Sequence, residues 1–411
     1  MRPLLIAVTA LSTALAPAGS GWSIQPTPNP SQHENLLYGV SCPSAAACTA
    51  VGGGFSAKQQ VPRNIALTWN GSRWSAASVP DPAGAAYSIL KDVSCASAST
   101  CIAVGDDSSG TVGVARSGTR WSVLSTVNPP TAESSQLHSV SCRSATACTA
   151  VGWYEQIVGS ALRAFSLAET WNGKTWSIQP TPNVGGGAST YLTGVSCTSA
   201  TACTAAGHSA KGNNGISRPL AEAWNGKTWS IQATPNPAGA ISSSLARVSC
   251  ASATMCIAVG GSNNASNGRP LAEAWNGKTW SIQATPRLSS ADAFFAGVSC
   301  TSAVACTAAG VGQGPSDEVT GAFWPSGGSR AMGSGGLPPE RWSAPPGQQG
   351  GGTLAEAWRG KNWSVQPTPN PAGSGGTFFE GVSCSSAAAC TAIGYYDGST
   401  TVATLAERHS G

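Results

Sequence analysis

The sequence predicts an all-β protein, a seven-bladed β-propeller of four-stranded antiparallel blades closed by its amino-terminal strand. A motif of the form Val-Ser-Cys, five residues, Cys returns seven times, with first cysteines at 42, 95, 142, 197, 250, 300 and 384. The spacing is 47 to 55 residues, with one gap of 84. A period near 50 residues is typical of repeat architectures in which each repeat is one supersecondary unit. Two further observations favour a propeller among these architectures. Each repeat contains four short β-type runs, and the two ends of the chain are complementary.

The fourth repeat shows the four runs. Tyr191–Cys197 predicts strand A, Cys203–Gly207 strand B, Leu220–Trp224 strand C and Lys227–Gln232 strand D. Asn225-Gly226 lies between the last two runs, and this dipeptide predicts a two-residue type I′ hairpin. Such a turn places Trp224 opposite Lys227 and Glu222 opposite Trp229, on one bulky face whose reverse side holds small residues. Neighbouring blades are therefore expected to pack bulky against small.

The chain ends predict how the ring closes. The seventh repeat runs through its strand C, Thr401–Arg408, and stops, whereas Gly21–Pro26 has the sequence of a strand D with no A, B or C before it. An amino-terminal strand that completes the last blade removes two exposed sheet edges. An open solenoid would instead need polar caps. We therefore expect a single closed domain over residues 19–411.

The first 18 residues have the pattern of a secretory signal peptide. Arg2 precedes an apolar run from Leu4 to Ala16, and Ala16-Pro17-Ala18 offers a small-x-small cleavage site. A membrane anchor is the alternative, but the run is shorter than the 18 or more residues of a membrane span. No later stretch is apolar over that length. The sequence thus predicts a secreted, extracellular protein with no membrane span in the mature chain.

Export predicts that the cysteines form disulfides. Two cysteines at the ends of a short hairpin can face each other across the strands. Zinc would require a second cysteine pair or histidines in phase, and the four histidines do not recur with the motif. The expected pairs are Cys42–Cys48, Cys95–Cys101, Cys142–Cys148, Cys197–Cys203, Cys250–Cys256, Cys300–Cys306 and Cys384–Cys390, and no metal or cofactor is expected.

The composition limits the classes of molecule that the protein is expected to bind. Charged residues make up 10% of the chain and the net charge is +4, without the clustered Lys and Arg typical of nucleic-acid binding. We therefore expect a monomer whose partner is an extracellular glycan or protein. Five segments that differ between repeats are expected to be loops on one face of the disc, where binding sites usually lie: Gly52–Arg63, Trp153–Leu162, His208–Ser217, Gly261–Arg269 and Val311–Gly352.

Within that face, the positions just before each Val-Ser-Cys are the candidate site. They lie on strand A, the innermost strand, and differ between repeats. Solvated channel residues without a ligand are the plainer interpretation. The candidate ligand-facing residues at the channel mouth are Tyr38, Lys91, Asp92, His138, Arg247 and Glu380.

A second recurring feature is a glutamate on strand C, at Glu169, Glu222, Glu273, Glu356 and Glu407. A lysine diagonal to it on strand D offers a structural explanation. A glutamate beside a tryptophan also suits a sugar-binding site used several times. The gap of 84 residues arises from a Gly/Pro-rich insert at about 311–352 in blade six, interpreted as a half-blade remnant or a lid.

The Asn-Gly-Lys-Thr-Trp hairpins resemble the Asp-box, or BNR, repeat of sialidase-like propellers, whose core is Ser-x-Asp-x-Gly-x-Thr-Trp. Gly226, Thr228 and Trp229 match this core, while the family's Asp falls on Trp224 and its Ser on Glu222. The resemblance implies a propeller fold and, by blade position, Tyr38, Glu380 and Asp92 in sialidase-like roles. Arg247 is the one arginine expected near the axis, so the sequence does not show the three arginines that bind the substrate carboxylate in sialidases. We therefore predict no catalytic residue and a non-catalytic binding or scaffold module; a sialidase-like exo-glycosidase at the channel mouth is the alternative.

Overall fold

A computed structural model describes residues 21–55, 61–211, 216–264, 267–288, 292–312 and 351–411. The predicted signal peptide and most of the 311–352 insert lie outside these residues. The described residues form 28 strands and no helix. We number the repeats by their cysteine motifs.

The strands follow in chain order. β1 is Gly21–Ile24. Repeat 1 holds β2 (Glu34–Ser44), β3 (Ala47–Phe55), β4 (Pro62–Trp69) and β5 (Trp74–Ala77); repeat 2 holds β6 (Ser88–Ser97), β7 (Thr100–Asp107), β8 (Gly110–Ser117) and β9 (Arg120–Leu124). Repeat 3 holds β10 (Ser134–Ser144), β11 (Ala147–Val158), β12 (Ala161–Trp171) and β13 (Trp176–Gln179); repeat 4 holds β14 (Ser189–Ser199), β15 (Ala202–Ala210), β16 (Ser217–Trp224) and β17 (Trp229–Gln232). Repeat 5 holds β18 (Ser242–Ser252), β19 (Met255–Asn263), β20 (Gly268–Trp275) and β21 (Trp280–Gln283); repeat 6 holds β22 (Ala293–Ser302), β23 (Ala305–Gly312), β24 (Gly352–Trp358) and β25 (Trp363–Gln366); repeat 7 holds β26 (Thr377–Ser386), β27 (Ala389–Asp397) and β28 (Val402–Ser410).

The fold is an all-β propeller with four-stranded antiparallel blades. Repeats 2 to 6 each form a separate four-stranded sheet. Repeats 1 and 7 share one eight-stranded sheet, because a parallel pairing of Glu34 with Val402 joins β2 to β28. The described residues therefore form five separate four-stranded sheets and one of eight strands, and not the seven four-stranded sheets that the sequence predicts.

The amino-terminal strand completes repeat 7. β1 pairs antiparallel with β28, with Trp22 opposite His409 and Ile24 opposite Glu407. The backbone continues this pairing, since the Gln25 N–H donates to the Ala406 carbonyl at 2.8 Å. This is the pairing that the complementary chain ends predict.

A belt of hydrogen bonds links the inner strands of neighbouring repeats. The serine of each Val-Ser-Cys accepts a hydrogen bond from the backbone N–H of the first cysteine in the following repeat, at 2.9 to 3.0 Å. The donor and acceptor pairs are Cys95 to Ser41, Cys142 to Ser94, Cys197 to Ser141, Cys250 to Ser196, Cys300 to Ser249, Cys384 to Ser299 and Cys42 to Ser383. The last pair joins repeat 1 to repeat 7, and the belt explains why each motif contains this serine.

Removing one belt acceptor tests this interpretation. Ser196→Ala leaves the Cys250 N–H without its acceptor and is expected to lower the free energy of unfolding by about 1 kcal/mol. Ser230→Ala is the control, because Ser230 is exposed and lies on an outer strand, and we expect a change within about 0.5 kcal/mol. Urea denaturation measures both values. Equal midpoints for the two variants would contradict the role of the belt.

The seven predicted disulfides are confirmed. Each pair bridges strands A and B of its own repeat, with Cα atoms 3.9 to 4.1 Å apart. No cysteine is free. The bridge therefore fixes the hairpin in which each inner strand ends.

The predicted register of the C–D hairpin is wrong. Trp224 lies opposite Trp229 and Glu222 opposite Ile231, so the loop has four residues, Asn225 to Thr228, and not two. The Asn225 side-chain oxygen accepts hydrogen bonds from the N–H groups of Lys227 and Thr228, both at 2.9 Å. An asparagine that caps its own turn in this way favours the wider loop.

The packing of bulky faces against small faces is confirmed. Leu192, Leu220 and Trp229 of repeat 4 pack on Val151 and Ala168 of repeat 3 in one buried cluster. The Trp229 indole N–H also donates to the Gln179 side chain of repeat 3 at 2.9 Å. The core is thus divided among the interfaces between repeats.

Strand B extends further than predicted, so four of the predicted loops are shorter. β11 continues to Val158 and pairs with β12, which leaves a turn at 159–160 where a loop over Trp153–Leu162 is predicted. The other strands B reach Phe55, Ala210 and Asn263 in the same way.

Candidate functional site

A β-bulge on the innermost strand of each repeat positions the candidate site. The pairing between strands A and B skips one residue in each repeat. The skipped residues are Tyr38, Lys91, His138, Thr193, Ala246, Ala296 and Glu380. A bulge bends the strand and changes the direction of a side chain. All seven are half-buried.

The last glycine of each motif permits the bulge. A Cβ atom on Gly105 would lie 1.9 Å from the carbonyl oxygen of Ile89, and one on Gly207 would lie 1.9 Å from that of Tyr191. The backbone of strand A approaches too closely for any side chain at this position. A fixed glycine therefore accompanies a bulge residue that differs between repeats.

Charged and aromatic side chains converge on one side of this ring. The Lys91 Nζ lies 4.9 Å from the centroid of the Tyr38 ring, which is a cation–π contact. Burial raises the pKa of Glu380 to about 7, against the opposing charges of Arg247 and Lys91. Burial, and then the charge of Glu380, raises the pKa of Tyr38 above its usual range. Glu380, Tyr38 and Lys91 therefore interact across repeats 7, 1 and 2.

Asp92 serves the scaffold and presents no free oxygen. One carboxylate oxygen accepts from the Val93 N–H at 2.8 Å. The other accepts from the Ser139 hydroxyl at 2.7 Å and the Val140 N–H at 3.0 Å. Burial raises its pKa, although Arg247 and these hydrogen bonds lower it. Asp92 is therefore a bridge between repeats 2 and 3.

His138 begins an aromatic row along repeats 3 and 4. Its ring stacks on Trp153 at 4.3 Å and its Nε2 lies 3.2 Å from the Gln136 side-chain oxygen. Trp153 meets Tyr191 edge-on at 5.2 Å, and Tyr191 stacks on His208 at 4.8 Å. Burial, with the charges of Lys91 and Arg247, holds the pKa of His138 well below its ordinary value. His138 is therefore neutral at physiological pH.

Arg247 is positioned by the backbone of repeat 4. Its guanidinium donates to the carbonyl oxygens of Thr193 and Ala246. Its charge also lowers the pKa values of Glu380 and Asp92. Arg247 thus interacts with repeats 2, 4 and 7.

A second layer of variable residues, not predicted from the sequence, is the residue after the last glycine of each motif. It holds Gly53, Asp106, Trp153, His208, Gly261, Val311 and Tyr395. Asp106 interacts with Lys91 and Tyr87, and Tyr395 with Glu380 and Tyr38. The sequence does contain an indication of this layer, because the position varies between repeats and directly follows a constant glycine.

The two sides of the ring differ in side-chain size. Repeats 7, 1, 2 and 3 supply Glu380, Tyr38, Lys91 and His138, whereas repeats 4, 5 and 6 supply Thr193, Ala246 and Ala296. Four of the site residues named from the sequence, Tyr38, Lys91, His138 and Glu380, thus lie on this ring. The other two, Asp92 and Arg247, are the paired residues that directly follow the bulge in repeats 2 and 5.

The explanation of the strand C glutamates by a diagonal lysine is wrong. All five are fully buried, and Glu222 lies opposite Ile231. Lys227, in contrast, is exposed in the turn. Burial also removes these glutamates from any sugar-binding surface.

The described ranges contain no group of three or more His, Cys, Asp or Glu side chains that could hold a metal ion. Within the same ranges, no helix is long and apolar enough to cross a membrane.

No protein-family model matches the sequence. No curated protein matches it either. Among solved structures, a polysaccharide lyase of a new family, an ulvan lyase bound to GlcA(1-4)Rha3S, is 8% identical over 88% of this chain and 92% of its own, with a TM-score of 0.48. Sqt1 from Chaetomium thermophilum is 8% identical over 92% of this chain and 88% of its own, with a TM-score of 0.44. A protein of unknown function from Dyadobacter fermentans is 8% identical over 95% of this chain and 98% of its own, with a TM-score of 0.45.

Proposed function

We propose that the protein is a secreted, closed seven-bladed propeller that acts as a non-catalytic binding module, with its ligand site at the channel mouth. The blade count rests on dividing the eight-stranded sheet into two blades, β2–β5 and β26–β28 with β1. The belt of serine hydrogen bonds supports closure, because it runs through all seven repeats and returns from Cys42 to Ser383. Seven disulfides fit an oxidising, extracellular compartment.

The observation that carries the binding role is the ring of bulge residues. The serine, cysteines and glycine of each motif are constant and hold the scaffold, while the bulge residue two positions before each Val-Ser-Cys differs between most repeats. A rigid scaffold that presents varied side chains at one place is typical of a binding site. The expected ligand is an extracellular glycan or protein that contacts Lys91, Arg247 and Glu380.

The chemistry of the ring favours binding over glycoside hydrolysis. A tyrosine nucleophile needs a lowered pKa, whereas burial and Glu380 raise that of Tyr38. A general acid needs a free carboxyl group, whereas both Asp92 oxygens accept hydrogen bonds from the protein. One observation favours the exo-glycosidase alternative: the Glu380 carboxyl, with a pKa of about 7, is suited to proton transfer near neutral pH.

A glycan and polysaccharide array, together with capture of extracellular proteins, tests the proposal on the mature protein. Lys91→Ala and Arg247→Ala are expected to weaken binding about tenfold or more, since each removes a charge at the mouth. Lys227→Ala is the matched control, because this lysine is exposed in a turn between strands C and D. Binding that is equally strong in all three variants would place the site elsewhere.

A separate measurement tests the exo-glycosidase alternative. Hydrolysis of aryl glycosides by the wild type, abolished in Glu380→Gln, would establish an exo-glycosidase. The binding proposal instead expects no turnover by either protein.

A further inference from the structure

The five strand C glutamates lie in the interfaces between neighbouring repeats. In strand β16, Glu222 alternates with Leu220 and Trp224 on the bulky face. Two repeats carry an apolar residue at this position, Leu67 and Val114. The packing of these two residues therefore shows which surface surrounds the glutamates at the same position.

Both apolar counterparts pack against the preceding repeat. Leu67 of repeat 1 lies in one cluster with Ile393 and Ala406 of repeat 7. Val114 of repeat 2 lies in one cluster with Val51 and Ala66 of repeat 1. By the shared position, Glu169, Glu222, Glu273, Glu356 and Glu407 occupy the five interfaces from repeats 2/3 to repeats 6/7.

The carboxyl groups are buried without charged partners. The carboxyl oxygens of Glu222, Glu273, Glu356 and Glu407 have no hydrogen-bond partner among the described residues. Burial alone shifts their pKa values, so within the described ranges no charged or titratable group on either packed face contributes. The two carboxyl oxygens of Glu169 also lack a hydrogen-bond partner among these residues, although the nearby Val127 N–H and Thr111 hydroxyl partly offset the effect of burial on its pKa. An ionised carboxylate in such an interface is strongly unfavourable.

We propose that the five glutamates make the ring a pH-responsive assembly, closely packed while the carboxyl groups are neutral and opened between repeats 2 and 7 when they ionise. At the strand C position, the interfaces 7/1 and 1/2 hold the apolar residues Leu67 and Val114 in place of a glutamate. The 7/1 interface also has a contact of its own, since the Arg408 guanidinium lies 4.5 Å from the Trp69 ring centroid and donates to the Ala45 carbonyl. Opening is therefore confined to one arc of the ring.

The direction of the pH dependence follows from the pKa values. Burial raises each glutamate pKa from the ordinary 4.5 to about 8, so between these values the folded protein holds more protons than the unfolded chain. Stability is therefore fully present below pH 4.5 and falls as the pH rises through 8. Within that range the folding constant falls by up to about tenfold per group for each pH unit. The five effects have the same sign.

Urea denaturation from pH 5 to pH 9.5 tests the proposal on the mature, disulfide-bonded protein. The wild-type midpoint is expected to fall steadily up to about pH 8. The double variant Glu222→Leu/Glu273→Leu reproduces the residue type of repeat 1 and is expected to lose at most about two fifths of that fall, because Glu380 and Asp92, whose pKa values burial also raises, contribute to it in both proteins. Glu222→Gln/Glu273→Gln gives the same comparison with little change in volume, if the leucine variant fails to fold. Glu133→Gln is the control, because Glu133 is exposed and should leave the slope unchanged.

Hydrogen exchange locates the opening. At pH 9 we expect the backbone amides of repeats 3 to 6, which lie between two opening interfaces, to lose protection before those of repeats 7, 1 and 2. A wild-type midpoint that is constant over this range, an unchanged slope in the double variants, or uniform loss of protection would each overturn the proposal. These outcomes are independent of ligand binding at the channel mouth.

Discussion

A chain that begins after Ile24 is expected to lose most of its folding stability. It lacks β1, so β28 becomes an exposed sheet edge, and it lacks Trp22, which is 8% exposed and packs with Phe379 and Leu405. Loss of a buried tryptophan costs about 3–5 kcal/mol, and the four-residue strand adds to this, against a total of about 5–15 kcal/mol for a typical protein. Thermal unfolding followed by circular dichroism measures the loss.

Addition of the missing strand as a peptide separates ring closure from simple loss of core. A peptide of residues 21–30 is expected to raise the melting temperature of the shortened chain as its concentration increases. The same peptide with Trp22→Ala should have much less effect, because the Trp22 indole also donates to Gln366 of repeat 6 at 3.1 Å. A shortened chain as stable as the full chain, or one rescued equally by both peptides, would contradict the closing role of β1.

The sequence was sufficient where the structure depends on contacts within a single repeat. Each disulfide joins cysteines that face each other across one hairpin, so their spacing alone identified the pairs. The pairing of β1 with β28 could be inferred because Gly21-Trp22-Ser23-Ile24 repeats the pattern of Trp229-Ser230-Ile231. Both inferences need only one repeat as a template.

The sequence was insufficient where a single residue changes the register. Asn225 could form a two-residue turn or cap a four-residue loop, and the choice depends on its side-chain oxygen reaching the N–H groups of Lys227 and Thr228. A shift in the loop moves every pair on the hairpin, which is why Glu222 was paired with Trp229 and not with Ile231. The burial of the glutamates was missed for the same reason.

The residues at the bulges were chosen by their position in the sequence, but the bulge that presents them was not predicted. Tyr38 and Lys91 were chosen because they vary beside a constant motif, whereas the bulge depends on the close approach of strands A and B at Gly52 and Gly105. Asp92 looked equivalent to its neighbours, yet its hydrogen bonds to Ser139 and Val140 come from the next repeat. Individual hydrogen bonds between repeats, unlike the general packing of bulky against small faces, cannot be inferred from one repeat alone.

Reduction of all seven disulfides is expected to unfold the protein at room temperature. Each bridge closes a loop of seven residues, for which chain entropy gives about 2–2.5 kcal/mol, so seven bridges together approach or exceed the about 5–15 kcal/mol that stabilises a typical protein. The second cysteine of each pair is buried, so reduction is expected to require a low urea concentration that opens the repeats transiently. Circular dichroism after reduction and alkylation measures the result.

A single bridge provides the matched comparison. Cys197→Ala/Cys203→Ala removes the bridge of repeat 4 and should cost about 2 kcal/mol, with the Val-Ser-Cys hydrogen bond from the Cys197 N–H to Ser141 retained because it uses the backbone. If the fully reduced protein kept a cooperative transition with a free energy of unfolding within about 5 kcal/mol of that of the oxidised protein, the interfaces between repeats and the serine belt, and not the disulfides, would carry the stability.

The disulfides restrict only the unfolded chain within each hairpin, whereas β1 and the belt join one repeat to the next, so the loss of a disulfide and the loss of β1 should have different effects. Loss of a bridge should lower the midpoint and leave the transition cooperative, whereas loss of β1 should make repeat 7 unfold first.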